Sequence, residues 1–101
     1  MDTKTISYGW REKGNNSYRY FVESISTKRQ RSYLESALNS YYEAYLTAES
    51  DEDKSSAAKN YGIASWRLAT VLMQLDETST LCKFRYHEAI SYFSKVYMAC
   101  L

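Results

Sequence analysis

One stretch of the sequence occurs twice, and this internal repeat limits the folds that the chain can adopt. Residues 14–19 read GNNSYR, and residues 62–67 read GIASWR. A second pair of matching stretches follows, in which Ala37 and Ala89 each stand four positions before an aromatic residue. The glycines that open the first pair lie 48 positions apart, and the two alanines lie 52 apart. A period of about 20 to 50 residues is typical of stacked structural units. We therefore expect one helical unit to occur twice.

The composition excludes several classes of protein. Hydrophobic residues make up 45% of the 101 residues, which is enough to build the core of one domain. A net charge of +1 gives no general reason to expect a nucleic acid or a membrane as partner. The two cysteines, Cys82 and Cys100, are too few for a disulfide framework. With no secretory signal and no spanning segment in the sequence, a cytoplasmic location is expected, with the nucleus as the alternative.

Apolar residues recur every three or four positions in four segments, and the chain contains no proline. We predict an all-α fold of four antiparallel helices joined by short turns, over residues 6–25, 32–48, 51–75 and 81–101. Ser32 and Glu35 form a Ser-x-x-Glu capping box, which predicts the start of the second helix. Ser50 is expected to cap the third helix, because three acidic residues follow it. A site for an acid-directed kinase at Ser50 is the alternative interpretation.

The spacing of small and aromatic residues resembles the tetratricopeptide repeat. In that family the first helix of a pair carries a large residue and, four positions later, a small one, as Trp10 and Gly14 do. The second helix carries Ala-x-x-x-Tyr-x-x-Ala, which Ala37, Tyr41 and Ala44 match. Ala58, Gly62, Ala89, Phe93 and Val96 give the second copy, with one substitution.

The resemblance implies a single domain over residues 1–101, built from two stacked helical hairpins at about 6–48 and 51–101. The sequence leaves open that this domain is the N-terminal part of a longer protein. The helices are expected to be longer than usual, because the family's repeat has about 34 residues. The small residues would let neighbouring helices approach closely. Gly14 in particular is expected to admit another backbone, since a glycine inside a helix costs about 1 kcal/mol against alanine.

The resemblance also implies a protein-binding adaptor or scaffold without cofactors, rather than an enzyme. In this family the first helices line a concave groove, which here would present Arg11, Asn15, Arg19, Lys59, Asn60, Ile63 and Arg67. Four of these seven are cations and none is an acid, so an acidic segment or a C-terminal tail of another protein is the expected ligand. Arg11, Asn15 and Asn60 also match part of the carboxylate clamp of chaperone cofactors, although the third repeat of that clamp is missing from the sequence. The alternative is that the arginines merely cover the helical core.

Other functions stay open at the level of sequence. A microtubule-interacting-and-trafficking type domain has a similar length and grips helices, but lacks a twofold repeat. Arginine and lysine interleaved with aromatic residues could bind RNA, although the low net charge disfavours nucleic acid. A homodimer through the end helices is a further alternative. His87 is expected to be structural, and the sequence contains no phosphate loop, metal-ligand cluster or nucleophile–base pair.

Overall fold

The computed structural model describes residues 5–75 and four positions beyond them, Phe84, His87, Glu88 and Ser91. Three α-helices make up this part of the chain: α1 (Ile6–Glu23), α2 (Thr27–Thr47) and α3 (Asp51–Gln74). The all-α class is therefore confirmed, and the described residues contain no strand. None of the helices described is long and apolar enough to cross a bilayer.

The prediction of four antiparallel helices in two stacked hairpins is wrong, because the described part of the chain contains three helices. The fourth helix was predicted over residues 81–101, most of which lie outside the described residues. Phe84, His87, Glu88 and Ser91 have helical backbone, but they form no continuous element among the described residues. Apolar spacing indicates only that a segment favours helix, whereas the number of helices depends on contacts between segments that are distant in sequence.

The first two helices begin at hydrogen-bonded caps. Thr5 caps α1, since the Tyr8 backbone N–H donates to the Thr5 hydroxyl at 3.0 Å. Ser26 caps α2, where the Arg29 backbone N–H donates to the Ser26 hydroxyl at 3.4 Å. The predicted start at Ser32 is therefore wrong. Nothing between the two serines breaks a helix, and the ion pair of Arg31 with Glu35 at 3.0 Å supports the added turn.

The start of α3 is as predicted. The Asp53 backbone N–H donates to the Ser50 hydroxyl at 3.1 Å, so Ser50 is the N-cap. Asp51, Glu52 and Asp53 fill the first turn. Their negative charges lie beside the positive end of the helix dipole and stabilise this helix start.

The middle helix, α2, packs against both of the others. The Ser7 hydroxyl near the start of α1 donates to the Ala44 carbonyl near the end of α2 at 2.7 Å, so these two helices are antiparallel. The rings of Tyr42 on α2 and Tyr61 on α3 lie 6.3 Å apart, in a second antiparallel pair. Helices α1 and α3 therefore run parallel, and they contact each other at few positions. The buried cluster lies on α2 and α3: Leu34, Ala37, Leu38, Tyr41, Tyr61, Ala64, Leu68, Val71 and Leu72.

Two buried serines differ in whether their hydroxyl has a partner. Ser7 is fully buried and donates to the Ala44 carbonyl, whereas the hydroxyl of the fully buried Ser65 has no hydrogen-bond partner within the described part of the chain. A buried hydroxyl without a partner costs about 1–3 kcal/mol, and alanine is the better helix former. Ser65→Ala should therefore raise the free energy of unfolding by about 1 kcal/mol in urea denaturation.

Ser7→Ala is the matched control, because the same atom is removed from a serine that does have a partner. It should lower the free energy of unfolding by about 1 kcal/mol, since a buried hydrogen bond is lost. A loss of stability in both variants would show that the Ser65 hydroxyl is satisfied in solution and would contradict the prediction.

Candidate functional site

A groove lies between α1 and α3, because both helices pack on α2 and hardly touch each other. Its cavity has a volume of about 240 Å³ and is lined by Asn15 and Tyr18 from α1, Tyr41 from α2, and Asn60 and Ile63 from α3. Asn15, Asn60 and Ile63 are three of the seven residues predicted to bind a ligand. The two halves of the sequence repeat thus contribute one wall each.

The floor of the groove depends on the contact between Gly14 and Tyr41. A Cβ atom on Gly14 would lie 2.5 Å from Tyr41 Cε1 and 2.6 Å from Cδ1, which is closer than real atoms approach. Gly14 was expected to admit a neighbouring backbone; it admits an aromatic ring instead. Only 3% of Tyr41 is exposed, so the ring fills the space between α1 and α2 while its hydroxyl reaches the groove.

The Tyr41 hydroxyl orients the Asn15 amide. It donates to Asn15 Oδ1 at 2.6 Å. Burial raises the pKa of the Tyr41 hydroxyl well above its ordinary value, and the nearby Tyr18 raises it further, so the group stays protonated and remains a donor. Because Oδ1 accepts this bond, the amide N–H groups of the exposed Asn15 side chain are left for a ligand.

An acid lies at one end of the predicted basic surface. Arg11 on α1 forms an ion pair with Asp53 on α3, with 3.7 Å between Nη2 and Oδ1. The expectation that no acid faces this surface is therefore wrong. Both side chains are about one-fifth exposed, so the pair joins the two helices at the edge of the molecule. Arg11 contributes less positive charge to a ligand than the sequence suggested.

The other three predicted cations are exposed side chains on the two walls. Arg19 follows Asn15 by one turn and donates to Asn16 Oδ1. Arg67 follows Ile63 by one turn, and its guanidinium lies 5.3 Å from the centre of the Trp66 ring. Lys59 precedes Asn60 and is exposed. None of these three pairs with a carboxylate among the residues that the structure describes, so their charge is open to a ligand.

Two lining residues were not predicted as ligand contacts. These are Tyr18 and Tyr41. Both pack against neighbouring residues: Tyr18 meets Phe21 edge-on with 5.2 Å between ring centres, and Tyr41 is buried. Both nevertheless line the groove, where the Tyr41 hydroxyl donates to Asn15. The signal was present in the sequence, since tyrosine combines an apolar ring with a hydroxyl that seeks a partner when buried.

The remaining candidate groups bring no catalytic arrangement into the groove. His87 is exposed and lies outside the groove lining. The described residues hold no group of three or more histidine, cysteine, aspartate or glutamate side chains that could bind a metal ion. The groove can form hydrogen bonds through amide and hydroxyl groups, and cationic side chains lie beside it.

In comparisons with known proteins, no protein-family model, no curated protein and no solved structure matches the sequence.

Proposed function

We propose that this protein is a non-enzymatic interaction module whose groove between α1 and α3 binds an acidic segment of another protein. The observation that carries the proposal is that Asn15 and Asn60, from two different helices, line the same cavity together with Tyr41. Asn15 lies in the first copy of the sequence repeat on α1, and Asn60 lies on α3, two positions before the second copy. The family resemblance to tetratricopeptide repeats supports the same kind of function and remains a hypothesis.

The polar groups of the groove suit a peptide ligand. An asparagine amide both donates and accepts, so it can pair with the C=O and N–H groups of an extended chain. Ile63 and the Tyr18 ring add apolar surface beside these amides. The cavity volume of about 240 Å³ is below the range of about 300–1,000 Å³ that is usual for small-molecule sites. The groove is therefore better suited to one or two side chains of a longer ligand.

The charges beside the groove favour an acidic ligand over a basic one. Arg19 and Arg67 lie one turn beyond Asn15 and Ile63 on two parallel helices, and Lys59 stands beside Asn60. A carboxylate between these side chains would form charge-assisted hydrogen bonds with the arginines. Complementary charge of this kind speeds association and selects the partner.

Charge reversal at the groove tests the proposal. The probe is a short fluorescein-labelled peptide rich in glutamate and leucine, and the measurement is fluorescence anisotropy at low and at physiological salt. Replacing both arginines, Arg19→Glu with Arg67→Glu, should weaken binding by about tenfold or more, because two attractions become repulsions. Binding by the unchanged protein should also weaken as salt is added.

The matched control reverses two exposed cations on another surface, Lys28→Glu with Arg29→Glu on the first turn of α2. It changes the net charge by the same amount but should leave the affinity for the acidic peptide within about twofold. Equal losses in the two variants would mean that the peptide responds to overall charge only. Unchanged affinity in the groove variant would contradict the proposal directly.

The three helices in the described part of the chain give some support to the microtubule-interacting-and-trafficking type of domain, which has three or four helices. In that case the groove would bind an amphipathic helix instead of an extended acidic chain. Circular dichroism of the complex separates the two, because a helical ligand gains helicity on binding. RNA binding gains no comparable support from the groove, whose tyrosines lie mostly inside the packing.

A further inference from the structure

The turn between α1 and α2 exposes apolar side chains to solvent. Ile25 is 100% exposed, Val22 is 65% exposed and Tyr20 is 57% exposed. Together with Lys28 and Arg29 on the first turn of α2, these three residues form a surface that we call the α1–α2 tip. The tip lies at the C-terminal end of α1, beyond the groove residues of that helix. The ion pair of Arg11 with Asp53 lies nearer the N-terminal end of α1.

Hydrogen bonds hold this turn in place. The Ser26 backbone N–H donates to the Ser24 hydroxyl at 3.3 Å, and the Gln30 amide donates to the Ser24 carbonyl at 2.7 Å. The Tyr20 and Tyr33 rings pack together behind the turn, with 5.6 Å between their centres. Ile25 is thus presented to solvent by a fixed backbone and is not folded back onto the molecule.

The charge pattern at the start of α2 runs against helix stability. The first turn of α3 contains three acids, whereas the first turn of α2 contains none and carries Lys28 and Arg29 instead. Cations near a helix N-terminus are disfavoured by the helix dipole. Residues that break a local rule of this kind often serve a function. Glu23 is the acid that faces the tip, and Arg31 is held by Glu35.

We propose that the α1–α2 tip docks on the surface of an anionic lipid bilayer. Ile25 and Val22 would enter the boundary between headgroups and acyl chains, tyrosine suits the same depth, and Lys28 and Arg29 would meet the lipid phosphates. An exposed aliphatic side chain gains little from a nucleic acid, which offers base stacking and phosphates. The near-neutral net charge of the whole chain conceals this local combination.

Vesicle flotation tests the tip independently of the groove. The probes are phosphatidylcholine vesicles with and without about one-third phosphatidylserine. The protein should partition about tenfold more strongly onto the anionic vesicles, and added salt should weaken the binding. Ile25→Ser should reduce the partition several-fold, as should Lys28→Glu with Arg29→Glu.

Two control variants distinguish the tip from other exposed surfaces of the protein. Leu46 is 57% exposed on α2 but outside the tip, so Leu46→Ser removes an exposed aliphatic residue and should leave partition unchanged. The groove variant, Arg19→Glu with Arg67→Glu, should also keep its partition, so the two proposals can fail separately. Circular dichroism confirms that each variant is folded.

Three outcomes would overturn the proposal. They are no excess partition onto anionic vesicles, equal losses in the Ile25 and Leu46 variants, and binding of single-stranded RNA in place of vesicles through Lys28 and Arg29.

Discussion

Gly14→Ala should lower the free energy of unfolding by about 2 kcal/mol, whereas Gly9→Ala on the same helix should raise it by up to about 1 kcal/mol. A Cβ at position 14 would lie 2.5 Å from Tyr41 Cε1, and a Cβ at position 9 would meet nothing within 4 Å. The Tyr41 ring cannot simply withdraw, because it is buried and its hydroxyl is bound to Asn15. Urea denaturation followed by circular dichroism measures both changes.

The contact with Tyr41 can be isolated by a double-mutant cycle. Tyr41→Leu removes Cε1 and Cζ, two of the three ring atoms nearest to the new methyl group, and replaces a rigid ring by a flexible side chain. Gly14→Ala should therefore cost less in the Tyr41→Leu background than in the unchanged protein. The same cycle reports on the groove, since a displaced Tyr41 no longer orients Asn15. Similar effects of alanine at positions 9 and 14 would show that Gly14 does not face the ring, and the described floor would be incorrect.

Local signals in the sequence predicted the helix starts unevenly. Ser50 was identified because a good capping residue and three acids occur together, and all of these act within one turn. Ser26 was missed because the capping box at Ser32 and Glu35 offered a second start. The choice between two caps depends on how far the helix can extend, and Arg31 uses Glu35 in an ion pair that supports the longer helix.

The groove was partly predictable because the sequence repeat places equivalent residues on α1 and α3. Asn15, Asn60 and Ile63 were predicted as ligand contacts and do line one cavity. The ion pair of Arg11 with Asp53 was not predicted. In the sequence, the acidic charge of Asp53 was explained by its place in the first turn of α3, where it interacts favourably with the helix dipole. Contacts between elements that are distant in sequence depend on the packing of all three helices, which periodicity alone does not determine.

The number of helices in the described part of the chain was the least predictable feature. Apolar spacing over residues 81–97 is as regular as in the earlier segments. The repeat also suggested two equivalent hairpins, in which each helix of the first has a counterpart in the second. The described helices instead share one middle element, since α2 supplies packing surface to α1 and α3 at once. A repeat in sequence therefore predicted which faces are alike, but not how many helices pack together.

Leu34→Ala should lower the free energy of unfolding by about 3 kcal/mol, the largest effect expected of any substitution considered. Leu34 is fully buried in the middle of α2, within the cluster that also contains Leu68 and Leu72 from α3. Truncation removes apolar contacts and leaves a cavity that the surrounding side chains fill only in part. Leu46→Ala is the control, because Leu46 lies on the same helix but is 57% exposed, and it should change stability by less than about 0.5 kcal/mol.

The two tryptophans can show whether the middle helix couples the outer two. Trp10 lies on α1 and Trp66 on α3, so the variants Trp66→Phe and Trp10→Phe each leave one fluorescent reporter. Leu34 lies on α2, and Tyr18 and Phe21 of α1 pack against the buried cluster that Leu34 forms with residues of α3, so a cavity at Leu34 should affect both outer helices. In a cooperative domain, Leu34→Ala should shift the unfolding midpoints reported by Trp10 and Trp66 equally. A shift seen by Trp66 alone would mean that α1 unfolds separately, and the groove between α1 and α3 would then open without loss of the core.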